Sequence, residues 1–280
     1  MLDQIENMEY GGVIHHGKLN NRVYVLKLPK ENIHKFIKKI ENIALENQYG
    51  KIIVKCPTSI QCEFIKDKYD IEAKIPNYYS GNEDLVFLSK YMTLERNNVG
   101  NKDVIQKVIE FANTKKNMDN KLKLEKDFIC RKANKEDVAK MVSLYKKVFV
   151  SYPFPIHNSQ YIIKTMKENV IYFGIWYRQK LVGLSSCEID IENKNAEMTD
   201  FAVHPSYRGK NIALYLLRVM EEEMKRMGII LLYTIARSIS YGMNCSFSKN
   251  GYSFAGTLYN NTHISGDIES MNIWYKNIKS

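Results

Sequence analysis

Six consecutive residues, Arg208-Gly209-Lys210-Asn211-Ile212-Ala213, stand between a hydrophobic strand pattern and an amphipathic helix pattern, within HPSYRGKNIALYLL. Successive backbone N–H groups in a tight turn, continued by the unpaired N–H groups of a helix start, form a concave site for an anion such as a pyrophosphate. Gly209 and Ala213 carry little or no side chain, so phosphate oxygens can approach the backbone there. Asn211 is among the residues that tolerate a left-handed conformation, which keeps the turn feasible without a second glycine. Just upstream, AEMTDFAV holds two carboxylates, Glu197 and Asp200. Period-two alternation places Glu197, Thr199, Phe201 and Val203 on one face and Met198, Asp200 and Ala202 on the other. The two acids therefore share a cleft only across a β-bulge.

These residues need a scaffold, and the hydrophobic patterns supply one. A first block contains strands at Arg22–Leu28, Lys51–Cys56, Tyr69–Ile75 and Asp84–Tyr91, with a helix over Lys30–Asn47. A polar connection from Asn97 to Lys126 carries a helix at Asp103–Thr114. The second block opens with a strand at Phe128–Ala133. A helix follows, capped by Asn134 with Asp137 in its first turn, its apolar positions Val138, Met141, Val142, Tyr145 and Phe149 recurring at helical spacing. After the loop SYPFPI come a helix at Ser159–Lys167 and a meander of three strands, Val170–Tyr177, Lys180–Asp190 and Ala196–Val203. The long helix Asn211–Met227 ends at Gly228; a buried strand Ile229–Ala236, a helix at Asn244–Lys249 and strands at Tyr252–Tyr259 and Ser270–Tyr275 complete the chain. The expected fold is α/β (α+β), a mixed and mostly antiparallel sheet flanked by helices. Two domains are expected, residues 1–126 and 127–280.

Composition removes several alternatives. The formal charge of +10 comes from lysines interspersed with acids, and the richest run, Lys115 to Lys126, contains Asp119 and Glu125 and no stacking aromatics. It reads as a solvated linker or helix face, so no nucleic-acid partner is expected, although a basic surface attracts anionic small molecules. No apolar run reaches the length of about 18 residues that a membrane helix needs, and MLDQIENMEY is acidic and polar rather than a signal peptide. A cytoplasmic protein without a membrane partner is expected. Its five cysteines are scattered and lack any C-x-x-C pair, and its six histidines lack metal spacing, so reduced thiols and no metal are predicted.

The element order and the Arg208–Ala213 turn resemble the GNAT acetyltransferase superfamily, whose signature is Q/R-x-x-G-x-G/A at the start of its long helix; Asn211 departs from the usual glycine. NCSFSKNGYSF, Asn244 to Phe254, is similar to the family's second cofactor segment, with Phe247 where many relatives carry tyrosine. SYPFPI, ARSISYGMN and NNTHISGDIESMNIWYK, together with IHHGKLNNRVYVLKL and EAKIPNYYSGNEDLVFLSKY of the first block, look like the β-lysine N-acetyltransferases over nearly the whole chain. The resemblance implies acetyl-CoA as cosubstrate, held by Phe201, Ala202, Val203, Arg208, Gly209, Lys210, Asn211, Ile212, Ala213, Asn244 and Phe247. It also implies transfer to the terminal amine of β-lysine, a zwitterionic compatible solute being the product. The first block would be a degenerate copy of the same fold without a cofactor.

An amine of pKa about 10.4 must lose a proton before attack, a cost of roughly 4–5 kcal/mol at pH 7. Glu197 is the candidate base, and Tyr241 the substitute for the missing tyrosine acid. Arg237 is the candidate receptor for the substrate carboxylate, Asp200 or Glu188 for the unreactive ammonium, and Tyr152 and Phe154 for the aliphatic chain. Two other readings stay open: an acetyltransferase for another free amine or a protein lysine, and a non-catalytic acetyl-CoA sensor. The sequence assigns no oligomeric state.

Overall fold

The computed structural model describes residues 3–116, 118 and 122–278, so the basic run Lys115–Lys126 falls partly outside the described residues. The first half runs β1 (Gln4–Asn7), β2 (Val13–Gly17), β3 (Arg22–Lys27), α1 (Ile33–Glu46), β4 (Lys51–Pro57), α2 (Gln61–Lys66), β5 (Asp70–Tyr79) and β6 (Glu83–Tyr91). Helices α3 (Leu94–Asn97) and α4 (Lys102–Asn113) connect it onward. The second half runs β7 (Phe128–Lys132), α5 (Val138–Val148), α6 (Ser159–Lys167), β8 (Val170–Tyr177), β9 (Lys180–Asp190) and β10 (Asn195–Val203). It continues with α7 (Ile212–Arg226), β11 (Leu231–Arg237), α8 (Tyr241–Lys249), β12 (Ser253–Ile264) and β13 (Asp267–Asn277).

The thirteen strands of the described residues join one sheet, in the order β1-β2-β3-β4-β6-β5-β12-β13-β11-β10-β9-β8-β7. The two halves repeat one topology. Strands β1, β2 and β3 are antiparallel neighbours, β3 crosses through α1 to the parallel β4, and the hairpin β5–β6 follows α2. Strands β8, β9 and β10, helix α7, the parallel β11, helix α8 and the hairpin β12–β13 repeat those connections. The halves meet edge to edge where β5 and β12 pair at Ala73 and Gly256. Gly256 has φ +144, and a Cβ there would lie 2.2 Å from the Glu72 carbonyl oxygen, so only glycine fits the seam. Buried Lys51 adds a stitch, donating to Glu72 Oε2 at 2.8 Å and to the Tyr259 carbonyl at 2.6 Å.

Strand alternation distributes the core between the two faces. On β3 and β4, Val23, Val25, Ile52 and Val54 pack under α1 with Phe36, Ile37 and Ile40. Tyr24 and Ile53 point the other way, into a core shared with Tyr233 and Ile273 of the second half. Leu216, Met220 and Met224 of α7 cover the second half together with Phe247 and Trp274, and Ala112 of α4 joins them. Helices α5 and α6 close the remaining face of β8–β10 through Met141, Tyr145 and Ile162. A 3-10 turn, Lys135–Asp137, leads into α5, and there Asn134 caps as expected, with Asp137 completing a capping box.

Helix α6 and strands β8 and β9 lie where the patterns put them, whereas β1, β2 and α2 had no clear pattern. Strand β1 is a short edge of four residues with one face exposed, and β2 buries two histidines in place of apolar residues. Helix α8 starts at Tyr241 rather than Asn244 because the Ser240 side chain caps it, accepting from Met243 N at 3.5 Å.

Candidate active site

Strands β10 and β11 pair through only three rungs, Asn195↔Leu231, Ala196↔Leu232 and Glu197↔Tyr233. Beyond Glu197 they part, while β10 stays paired with β9 as far as Val203. From Met198 to Val203 the β11-facing side of β10 therefore has no strand partner, and an extended ligand can add its own hydrogen bonds there. A cavity of about 340 Å³ opens at this split, lined by Thr199, Asp200 and Phe201 on one strand and Thr234, Ile235 and Ala236 on the other.

The wedge leads to the anion turn. Gly209 has φ +81 and Asn211 φ +57, so both take the left-handed conformation, and α7 starts at Ile212 without a side-chain cap or an acidic residue in its first turn. Its first N–H groups are left for an anion. Arg208, Gly209, Lys210 and Asn211 are exposed and Ala213 is half-buried. Ile212 turns its side chain into the core, which leaves its backbone as the part that faces a ligand. The Lys210 ammonium pairs with Glu125 at 2.9 Å on the surface.

The bulge that the two acids require is present. Register shifts between Thr199 and Ala202, with Asp200 at φ +56, and Glu197, Thr199 and Asp200 all line the cavity. The same bulge overturns the simple alternation for Phe201 and Val203, which pack with the α7 core while Ala202 packs under α5. Glu188 of β9 stands directly opposite Glu197 and lines the cavity too. Burial raises the Glu197 carboxyl to about 7; Glu188 adds to the rise, and Lys55 and a hydrogen bond from Tyr233 oppose it. Burial likewise raises Asp200, against hydrogen bonds from Ser186 at 2.6 Å and from the Tyr152 hydroxyl at 2.5 Å.

Tyr152 and Phe154 both reach the cavity, and Phe154 stacks on His15 of β2 at 4.9 Å. Phe247 lines the cavity edge-on to Phe201. Three expectations need correction. Tyr241 is 44% exposed and packs on Phe111 of α4 outside the cavity, because the earlier start of α8 carries it to the surface. Asn244 is fully buried, and its amide donates to the Arg237 and Ser240 carbonyls and accepts from Asn272 and Trp274. All four of its hydrogen-bonding positions serve the fold, which leaves none for a cofactor. Arg237 borders the cavity, but its fork closes on Glu269 at 2.8 and 2.5 Å.

The first half supplies residues that local patterns did not single out: Arg22, Tyr24 and Leu26 of β3 and Lys55 of β4 line the same cavity. Lys55 donates to the Tyr233 hydroxyl at 3.2 Å. Burial alone would lower its pKa; the hydroxyls of Tyr24 and Tyr78 and the carboxylates Glu197 and Glu188 instead hold it well above its usual value. The available signal was an ionisable side chain inside an apolar strand pattern, in RVYVLKL and KIIVKC. Among the described residues no group of three or more His, Cys, Asp or Glu could hold a metal, and no helix is long and apolar enough to cross a membrane.

Residues 138–239, which span the bulged strand, the wedge and the anion turn, match the acetyltransferase (GNAT) family model. A β-lysine N(6)-acetyltransferase of Methanococcus maripaludis is 42% identical over 94% of this chain and 95% of its own. The chain belongs to the GNAT acetyltransferase family. Its likeness to a β-lysine N(6)-acetyltransferase of Methanosarcina mazei is 34% over 84% of this chain and 94% of the relative. The N-acetyltransferase YodP of Bacillus subtilis is 31% identical over 99% and 100%. This GNAT protein is an acetyl-CoA-dependent N-acetyltransferase. The residues fit the cosubstrate: an uncapped helix start behind two left-handed residues for the pyrophosphate, and an unpaired strand side for the pantetheine arm.

Proposed function

We propose that this GNAT enzyme acetylates the terminal (ε) amine of β-lysine, giving Nε-acetyl-β-lysine as a compatible solute made in the cytoplasm against salt stress. The observation that carries the reading is one cavity in which three carboxylates, Glu188, Glu197 and Asp200, face cationic residues of the other half. Such a lining suits a short substrate with two ammonium groups and one carboxylate. The named relatives, matched over nearly their full lengths, support the same substrate.

Glu197 stands where the strands part and is the base, taking the proton of the reactive ammonium directly or through water. With its pKa near 7 it is ionised just above neutrality yet basic enough to accept. Glu188 and Asp200 hold the second ammonium, and Tyr152 and Phe154 flank the chain. Bound acetyl-CoA supplies a thioester carbonyl as the acceptor. Glu197 passes this first proton, taken from the ammonium, on to water, and the amine nitrogen then bonds to the acetyl carbon as the carbon–sulfur bond breaks; the second proton, which nitrogen loses as the amide forms, ends on Glu197, and the electron pair leaves on sulfur. A thiol of pKa about 8.5 departs as the thiolate without a side-chain acid, so neither Phe247 nor Tyr241 has to donate.

Residues 1–126 and 127–280 are proposed as two units, the first a degenerate copy of the second. The repeated strand order supports this, although α4 lies against the second unit. The deciding experiment is thiol release from acetyl-CoA with β-lysine, α-lysine and a lysine peptide, with mass spectrometry of the products. Turnover dominated by β-lysine, with one acetyl on its terminal amine, is expected. Preference for either other amine overturns the substrate and keeps the chemistry.

A further inference from the structure

We propose that Arg22, at the start of β3 in the first half, receives the carboxylate of the substrate, so that both halves of the chain build the substrate site. The proposal rests on the β-lysine reading above. Arg22 is 2% exposed, yet it lines the cavity that holds Glu188, Glu197 and Asp200. Its Nη1 donates to the Asn261 carbonyl at 2.7 Å and to Thr262 Oγ1 at 2.9 Å. Its Nε is buried without a partner. That leaves the Nε–Nη2 edge uncommitted, and this edge offers two parallel N–H donors that match a carboxylate side-on.

No carboxylate pairs with Arg22 among the described residues. Asp3, an acid whose field reaches it, spends both oxygens on the Leu19 and Asn20 amides. Other enclosed cations have partners: Lys51 has Glu72, Lys276 has Glu221 and Arg237 has Glu269. Lys55 faces Glu197 and Glu188. Arg96, also buried, spends Nε and Nη2 on the carbonyls of Asn20, Asn260 and Asn261 and does not border the cavity. An enclosed guanidinium without a counter-ion is costly, and a bound anion relieves that cost. Burial lowers Arg22 only to about 10, so it stays cationic at neutral pH.

The test compares β-lysine with 1,4-diaminopentane, which carries hydrogen in place of the carboxylate and keeps both amines. The wild-type enzyme is expected to prefer β-lysine. In Arg22→Gln, kcat/KM for β-lysine is expected to fall about 10- to 100-fold, and that for the diamine to change by less than about threefold. Arg22→Lys, which keeps the charge and loses the fork, is expected to fall between. Calorimetric binding of β-lysine should weaken in parallel while acetyl-CoA binding is retained, which separates this loss from misfolding. Equal losses on both amines in both variants, or no loss on β-lysine, overturn the assignment of Arg22 and leave the substrate reading intact. A wild-type enzyme that ignores β-lysine overturns both.

Discussion

The two halves share a topology and differ at one junction. In the first half, β3 pairs with β4 over four of its six residues, and five residues link β3 to α1. In the second, β10 pairs with β11 over three of its nine residues, and eight residues lead to α7. Both helices start after a left-handed asparagine without a side-chain cap, Asn32 at φ +59 and Asn211 at φ +57. If the cosubstrate site is in the second half alone, as proposed, a left-handed asparagine before a helix does not by itself make one. The second half adds a split between strands, a longer turn through Gly209, and no acid next to the helix start in the chain, where the first half places Glu31. The first half lacks these features and instead turns Arg22, Tyr24 and Lys55 toward its neighbour's cavity.

The largest test of this contrast exchanges matching positions. Glu197 and Tyr24 both occupy the third rung of their parallel pair, opposite Tyr233 and Ile53. Glu197→Gln is expected to lower kcat roughly 10²–10⁴-fold, with acetyl-CoA binding retained in calorimetry. Tyr24→Phe keeps the base and is expected to cost far less in the same assay; equal losses would mean that the two halves contribute alike to the chemistry.

A smaller effect is expected at the turns. Gly209→Val forces a branched side chain into φ +81 and should raise KM for acetyl-CoA roughly tenfold. Lys30→Val, two residues before Asn32 as Gly209 is before Asn211, should leave it unchanged. A comparable rise from Lys30→Val would overturn the assignment of cosubstrate binding to the second half alone.

The smallest effect concerns pH. In the proposed mechanism Glu197 must be ionised, and its pKa is raised to about 7, so kcat/KM should climb as pH rises through about 7 and fall below it. Lys55 opposes that rise. Lys55→Met should therefore move the limb to higher pH, by roughly one unit, with little change in the plateau. A limb that stays in place would detach Lys55 of the first half from Glu197 of the second.

Much of the frame was legible because its patterns are local. The residues of the Asn134 cap, of the period-two runs of β8 and β9 and of the turn from Arg208 to Ala213 each lie close together in the chain. Strands β1 and β2 were not legible, since one is short and exposed and the other carries His15 and His16 inward. Glu197 and Asp200 reach one cavity only through the bulge after Thr199, and alternation cannot announce a bulge. Tyr241, Asn244 and Arg237 misled for one reason: side-chain partners from distant strands and helices, Phe111, Trp274 and Glu269 among them, decide whether a group is free to meet a ligand.

The sequence by itself determined the family, the order of elements and the anion turn, because backbone conformation and helix starts depend on neighbours in the chain. Only the tertiary structure decided what the cavity contains. Arg22 and Lys55 lie more than a hundred residues before Glu197, and pairing Ala73 with Gly256 joins the two halves into one sheet. Charges then meet across space, where burial and mutual repulsion raise the Glu197 carboxyl toward neutrality and one edge of the Arg22 guanidinium is left without a partner.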